Sequence, residues 1–454
     1  MRFIIATAIV TLLCYTSLSA QESSNAVRML CHWNDTAAVR PNMRGQRYSD
    51  VWGFVANGRE YAVIGATNGA HIIDLNTCTR IAYAPGTSDT MYVTHRDYKT
   101  YSHYLYAVCD QAGGRLQVYD TRSLPDSLPL VYTSTEEDFD APHKIFIDTT
   151  SARLYACNIG YDWMLDPLRI YSLENPERPT LLSRVQNIPM VHDMFVRNDT
   201  VYASCQFDGY YVVDCRNPTA PKVVGGLLSY PYQGYNHSCW INDAGIGVMT
   251  DETYGLPMKV IDTRDVTDIQ VLATFSPVPD DTNAVAHSPF LVGDLAYISH
   301  YKEGLQIYDL ADPRNPKRVG WYDTYPGGPG IRAMTGAWGC YPFFPSRRVA
   351  ISDMISGLWI FDVDEASGIA RSADVRIYPN PARDAVFILP PKAGAVECVI
   401  MDMAGRVVTK VASDGAGAPF VPVSIPLPAN MPTGLYALRA AGPWGSTTRT
   451  FLKQ

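Results

Sequence analysis

Five histidines, His95, His143, His192, His237 and His287, recur at steps of 48, 49, 45 and 50 residues, and Trp52 and Trp338 take the same place in the first and last units of the series. Imidazole titrates near neutral pH and is also a common metal ligand. Five imidazoles held close together in partial burial disfavour one another's charged forms, which leaves neutral rings able to ligate a metal or accept protons. A second set stands at the ends of neighbouring segments: Asn158, Asp251, Glu252, His300 and Asp353. Imidazole together with carboxylate suits zinc, manganese or iron. A ring spreads its members around a circle, whereas one ion needs three or four donors converging within about 2.0–2.3 Å. A divalent metal therefore draws on a few neighbours, with His237, His287, Asp251 and His300 as the candidates.

Tyrosines crowd the segments that lead into these positions: Tyr92, then Tyr230, Tyr232 and Tyr235 in one loop, then Tyr325 ahead of a glycine-rich stretch. A tyrosine offers a flat apolar face with a polar tip, which suits sugars or peptides. The candidate ligand-binding set is thus the five histidines with Trp52, Trp338, Tyr232 and Tyr235. Repetition also has a plain structural explanation. A residue used by every unit serves something every unit needs, such as a hydrogen bond to a carbonyl of the neighbouring unit. No GxSxG, HExxH, Walker or EF-hand pattern is present in the chain.

The elements that must position these residues repeat with them. Seven β-rich phrases close on Ile73-Asp74, Tyr119-Asp120, Tyr171-Ser172, Val213-Asp214, Ile261-Asp262, Tyr308-Asp309 and Phe361-Asp362, at steps of 46, 52, 42, 48, 47 and 53 residues. Several short strands per unit with a period of about 40–50 residues predict propeller blades, seven in number. In the fourth unit, His192 opens a first strand, Val201–Cys205 is a second and Tyr210–Asp214 a third. Asn217-Pro218 and Pro221 then lead to an outer fourth strand, since proline has no place in a central one. The closing Asp is expected to accept from backbone amides two residues on. The seventh unit lacks a fourth strand, and residues 26–33 resemble the fourth strands elsewhere, so the N-terminal segment is expected to complete it and close the ring.

The remaining features bound the environment. The 454 residues carry 47% hydrophobic and 18% charged side chains with a net charge of -8. That composition describes a folded protein and argues against a nucleic-acid partner, which needs a basic face. Arg2, the apolar run Phe3–Leu13 and Ser17-Leu18-Ser19-Ala20 match a secretory signal over 1–20. No later stretch reaches the roughly 18 apolar residues that span a bilayer. Nine cysteines follow the signal, an odd number without zinc spacing, and Cys109, Cys157 and Cys205 lie in apolar strands as expected for buried free thiols.

Beyond a linker at 365–373 the texture changes to short strands around Gly/Pro turns over 374–454, which predicts a small β-sandwich. Tyr378-Pro379-Asn380-Pro381, Asp402-Met403-Ala404-Gly405-Arg406-Val407-Val408, Pro432-Thr433-Gly434-Leu435-Tyr436 and Lys453 follow in order. This segment resembles the type A C-terminal sorting domain of the type IX secretion system of Bacteroidetes. The resemblance implies passage across the outer membrane through that machinery, then removal of the domain and either attachment to surface lipopolysaccharide or release. Residues 21–364, through Tyr211-Val212-Val213-Asp214, Lys259-Val260-Ile261-Asp262 and Leu305-Gln306-Ile307-Tyr308-Asp309, resemble the LVIVD-repeat propellers of the choice-of-anchor B family. That family carries no reaction over to this chain. The expectation is an all-β protein, a seven-bladed β-propeller followed by a β-sandwich, exported and binding a carbohydrate or peptide. Two readings stand beside it: a metal-dependent hydrolase or lyase, and a scaffold without a small ligand.

Overall fold

The computed structural model describes residues 24–363 apart from 89–92, 94, 112, 160–165 and 326–333, and residues 376–453 apart from 379–381, 390–393, 414–422 and 444. The signal segment, the linker, Tyr92 and the glycine-rich stretch 326–330 lie outside the described residues. The described chain is all-β, with one short 3-10 turn at Tyr301–Glu303.

Residues 24–363 form seven antiparallel sheets: six are built on four strands in sequence order, the sixth with Ser24–Asn25 added at its outer edge, and the seventh takes its fourth strand from the N-terminal end. Their first strands are Tyr48–Ala56, Arg96–Tyr101, Lys144–Asp148, Asp193–Arg197, Asn236–Ile241, Ala286–Val292 and Ala337–Tyr341. Each first strand packs on the first strand of the next sheet, and the seventh packs back on the first. The apolar clusters follow the same succession. Val63, Ile72, Tyr98 and Leu105 fill the gap between the first two sheets, and Cys31, Ile360, Val51 and Ile64 fill the gap between the seventh and the first. Burying these faces from water supplies the main favourable free energy of such an assembly.

Local chemistry explains the strand ends. Asp74, Asp120, Asp214, Asp262 and Asp309 close third strands, and in each the Oδ1 atom accepts the backbone N–H two residues on. Asn175 and Asn217 do the same before the fourth strands. These Asx turns satisfy amides that leave the ladder and so stop each strand at a set residue.

The outer strand of the seventh sheet comes from the other end of this region: Val27–Trp33 runs antiparallel to Gly357–Val363, with Val27 opposite Val363 and Trp33 opposite Leu358. A disulfide from Cys31 in this strand to Cys78, with Cα atoms 5.7 Å apart, ties the seventh sheet to the first. Cys109, Cys157, Cys205, Cys215, Cys239, Cys340 and Cys398 are buried thiols.

In the C-terminal region, a sheet of Arg376–Tyr378, Ala385–Leu389 and Val423–Pro426 and a sheet of Val407–Ser413, Val396–Asp402, Gly434–Gly442 and Gly445–Lys453 share a core of Val386, Ile388, Ile425, Ile400, Leu438 and Phe451. The Asp402–Arg406 motif is a turn: Asp402 accepts from the amides of Ala404 and Arg406, pairs with the Arg406 guanidinium at 2.7 Å, and leaves Gly405 at φ 80°. A positive φ of that size favours glycine.

Candidate functional site

The recurrent histidines come together. Successive ring centroids lie 4.2 Å apart for His95 and His143, 4.5 Å for His143 and His192, 4.3 Å for His192 and His237, and 4.2 Å for His237 and His287. Trp338 follows at 4.6 Å and lies 5.7 Å from His95, which closes a circle of six aromatic rings. Two local devices place them. His95, His143 and His192 immediately precede their first strands, while His237, His287 and Trp338 sit at irregularities where one extra residue is inserted at the strand start. Such bulges re-aim a side chain at the rim of a sheet.

Trp52 does not join the circle. It sits mid-strand opposite Val63, packs 4.9 Å from the Tyr341 ring, lies under the Lys99 ammonium and donates to Thr100 Oγ1 at 3.3 Å. The first sheet begins its inner strand earlier than the other sheets, and the irregular stretch between Tyr48 and Val51 puts Ser49 and Asp50 at the strand start. Trp52 instead corresponds to the position three residues further on, shared by Phe146, Phe195, Trp240, Phe290 and Tyr341.

The hydrogen bonds divide the circle. His192 Nδ1 meets the carbonyl of His237 at 3.2 Å, and His287 Nδ1 meets that of Trp338 at 2.6 Å. A carbonyl only accepts, so each Nδ1 carries the proton, each ring pins one sheet to the next, and each Nε2 keeps its lone pair. His143 Nδ1 donates to Asp110 at 2.8 Å. Both nitrogens of His95, Nδ1 of His237 and Nε1 of Trp338 are buried without a hydrogen-bond partner among the described residues. Burial first, then neighbouring histidines and Lys144, holds His95 and His237 well below the usual imidazole pKa, and burial with Lys144 takes His287 to about 3. These rings are neutral at physiological pH.

Carboxylates reach the circle at two places. Asp110 Oδ2 lies 3.9 Å from His95 Nδ1 as well as beside His143, and Glu252 Oε2 lies 4.0 Å from His237 Nε2. The groups His95, Asp110, His143 and His237, Glu252, His287 each bring three ligand atoms within 4.8 Å of one another. Glu252 also accepts from the Tyr301 hydroxyl, and burial raises its pKa.

Asp251 and His300 are not part of these groups. Asp251 is buried in an ion pair with Lys259 and accepts from the Tyr230 hydroxyl at 2.8 Å. Glu252 follows the strand end at Asp251 and is held by its amide, which donates to the Tyr235 carbonyl at 2.8 Å. His300 Nδ1 is 2.6 Å from Glu303 within its own turn. Asp353 caps a turn through the amides of Ile355 and Ser356.

The tyrosine loop also splits. Tyr230 points inward to Asp251, Tyr232 is 61% exposed, and Tyr235 is half-buried with its ring edge-on to His192 at 5.2 Å. Tyr235 also meets Phe207 edge-on at 5.3 Å, and Phe207 is 70% exposed. Phe207 carried no periodic signal in the sequence; an aromatic in the turn after Cys205-Gln206 was the one available hint.

Further along the first strands, a charged layer follows the rings. Lys144 pairs with Asp50 and lies 3.5 Å from Asp97, and Lys99 lies 2.9 Å from Asp97. Burial alone would push the Lys144 ammonium down, but Asp50 and Asp97 outweigh it and hold the pKa raised. No periodic signal marked these residues either.

Residues 376–454 match the family model of the secretion system C-terminal sorting domain. No curated protein matches the chain. The chain thus carries a type IX secretion sorting domain at its C-terminal end, and that system exports it to the cell surface or the extracellular space.

Proposed function

We propose that the seven sheets are the blades of one β-propeller over residues 21–364, of the LVIVD type, that binds a carbohydrate or peptide at the end of its channel ringed by histidines. The closed succession of first strands, the interleaved cores and the N-terminal strand in the seventh sheet support the propeller. The observation that carries the binding site is Tyr235, whose ring touches the exposed Phe207 on one side and the buried His192 on the other. Phe207 and Tyr235, with the exposed Tyr232 in the same loop as Tyr235, offer aromatic surface beside the buried His192, and exposed flat rings are the surface on which sugars and peptide side chains stack. After export, removal of residues 374–454 and attachment to surface lipopolysaccharide would present this rim to the medium.

Glycan-array and peptide-array binding with the purified full chain tests the reading. Phe207→Ala and Tyr232→Ala should each weaken binding about tenfold, the equivalent of ~1.4 kcal/mol. Binding to neither array, or binding that both variants leave unchanged, would overturn it in favour of a scaffold.

A further inference from the structure

We propose that His237, Glu252 and His287 form a mononuclear site for a divalent transition metal, zinc in the first instance. The proposal stands apart from ligand binding at the aromatic rim and requires no turnover.

The donor set is complete for such a site. Two imidazoles and one carboxylate with a further position open is a common arrangement for zinc that keeps a water or an external ligand. The three donor atoms lie within 4.8 Å of one another, and His237 Nε2 is 4.0 Å from Glu252 Oε2. Two donors on a tetrahedral ion with bonds of ~2.0–2.1 Å are about 3.3 Å apart. His237 Nε2 and Glu252 Oε2 therefore have to close by ~0.7 Å, and the widest pair of the three by at most ~1.5 Å, within reach of side-chain rotations.

The surroundings orient the ligands as an ion requires. The Trp338 carbonyl holds the proton of His287 on Nδ1, so the Nε2 lone pair is available without a change of tautomer. The Tyr301 hydroxyl fixes one oxygen of Glu252 and leaves the other facing His237.

Geometry also separates this group from its counterpart at His95, Asp110 and His143. Those two rings are stacked with planes inclined by only 19°, and His143 already donates to Asp110 at 2.8 Å. In-plane lone pairs of nearly parallel stacked rings do not converge on one point. The His237 and His287 planes are inclined by 48°, an angle that lets in-plane lone pairs meet at one ion.

The test is equilibrium dialysis of the full chain against zinc chloride with metal analysis, together with the visible absorption of the cobalt-substituted protein. One equivalent of zinc and a cobalt spectrum of low coordination number are expected. His237→Phe and Glu252→Gln should each weaken binding at least a hundredfold, Tyr301→Phe about tenfold, and His95→Phe not at all. Should His237→Phe fail to fold, the rise in melting temperature on adding zinc, present in the native chain and absent in Glu252→Gln, gives the same reading. Absence of stoichiometric zinc, full retention in Glu252→Gln, or loss in His95→Phe would overturn the assignment.

Discussion

The circle of rings and the charged layer beside it both stand on or beside the innermost strands of the sheets, yet they treat buried polarity in opposite ways. In the charged layer every cation has its anion: Lys144 with Asp50 and Asp97, and Lys99 with Asp97, whose Oδ2 also accepts from the Ile145 amide. In the ring, burial is just as deep, with His95 1% exposed, but several nitrogens have no protein partner among the described residues. Burying a charge demands pairing, whereas a neutral imidazole tolerates an unmet nitrogen at a far smaller cost. The paired layer therefore serves the fold, and the unpaired layer holds capacity for something outside the chain.

The largest test of this contrast is Lys144→Met. It strands Asp50 in the interior, while Asp97 keeps Lys99, and should cost about 3–5 kcal/mol in chemical denaturation; a loss below 1 kcal/mol would erase the distinction between the layers. Next comes the closure on which both layers depend. Cys31→Ser with Cys78→Ser releases a link spanning 47 residues and should cost about 2–4 kcal/mol, without changing zinc or glycan affinity per folded molecule.

Within the ring, His192→Phe removes the bond to the His237 carbonyl and should cost about 1 kcal/mol. His95→Phe gives up no hydrogen bond and should be neutral within ~0.5 kcal/mol in metal-free buffer. Equal costs for the two would show that stacking, not the carbonyl bond, sets their worth.

The smallest effect is on pH dependence. The folded pKa of His95 lies well below its ordinary value, through burial and the neighbouring His143 and Lys144. As pH falls from 7 to 5 the unfolded chain takes up the proton and the folded chain does not, so stability falls with pH over that window. The melting temperature of His95→Phe should fall less steeply than that of the native chain, and parallel slopes would place the titrating groups elsewhere. Comparing the two proteins cancels the opposing contribution of Glu252, whose raised pKa favours the folded state as it protonates.

Much of this was legible in the residues because it is local. The closing Asp residues predicted turns, and each of Asp74, Asp120, Asp214, Asp262 and Asp309 makes its Asx hydrogen bond. The spacing of His95, His143, His192, His237 and His287 pointed to a ring because strands of similar length repeat the same position. Trp52 misled because the first sheet has a different start register, which spacing alone does not record. Asp251 misled because Lys259 and Tyr230 engage it from distant positions, and nothing local marks which of two neighbouring carboxylates meets His237.

The amino-acid sequence by itself determined the all-β class, the repeat, the turn chemistry and the export tail, since each depends on residues close together in the chain. The tertiary structure alone decided which polar groups meet across sheets: Glu252 with His237, Lys144 with Asp50, Tyr235 with Phe207, and Cys31 with Cys78. The reason is physical. Hydrogen bonds to a strand's own turns follow from local geometry, whereas contacts between sheets depend on register, and a shift of one residue turns a side chain to the opposite face.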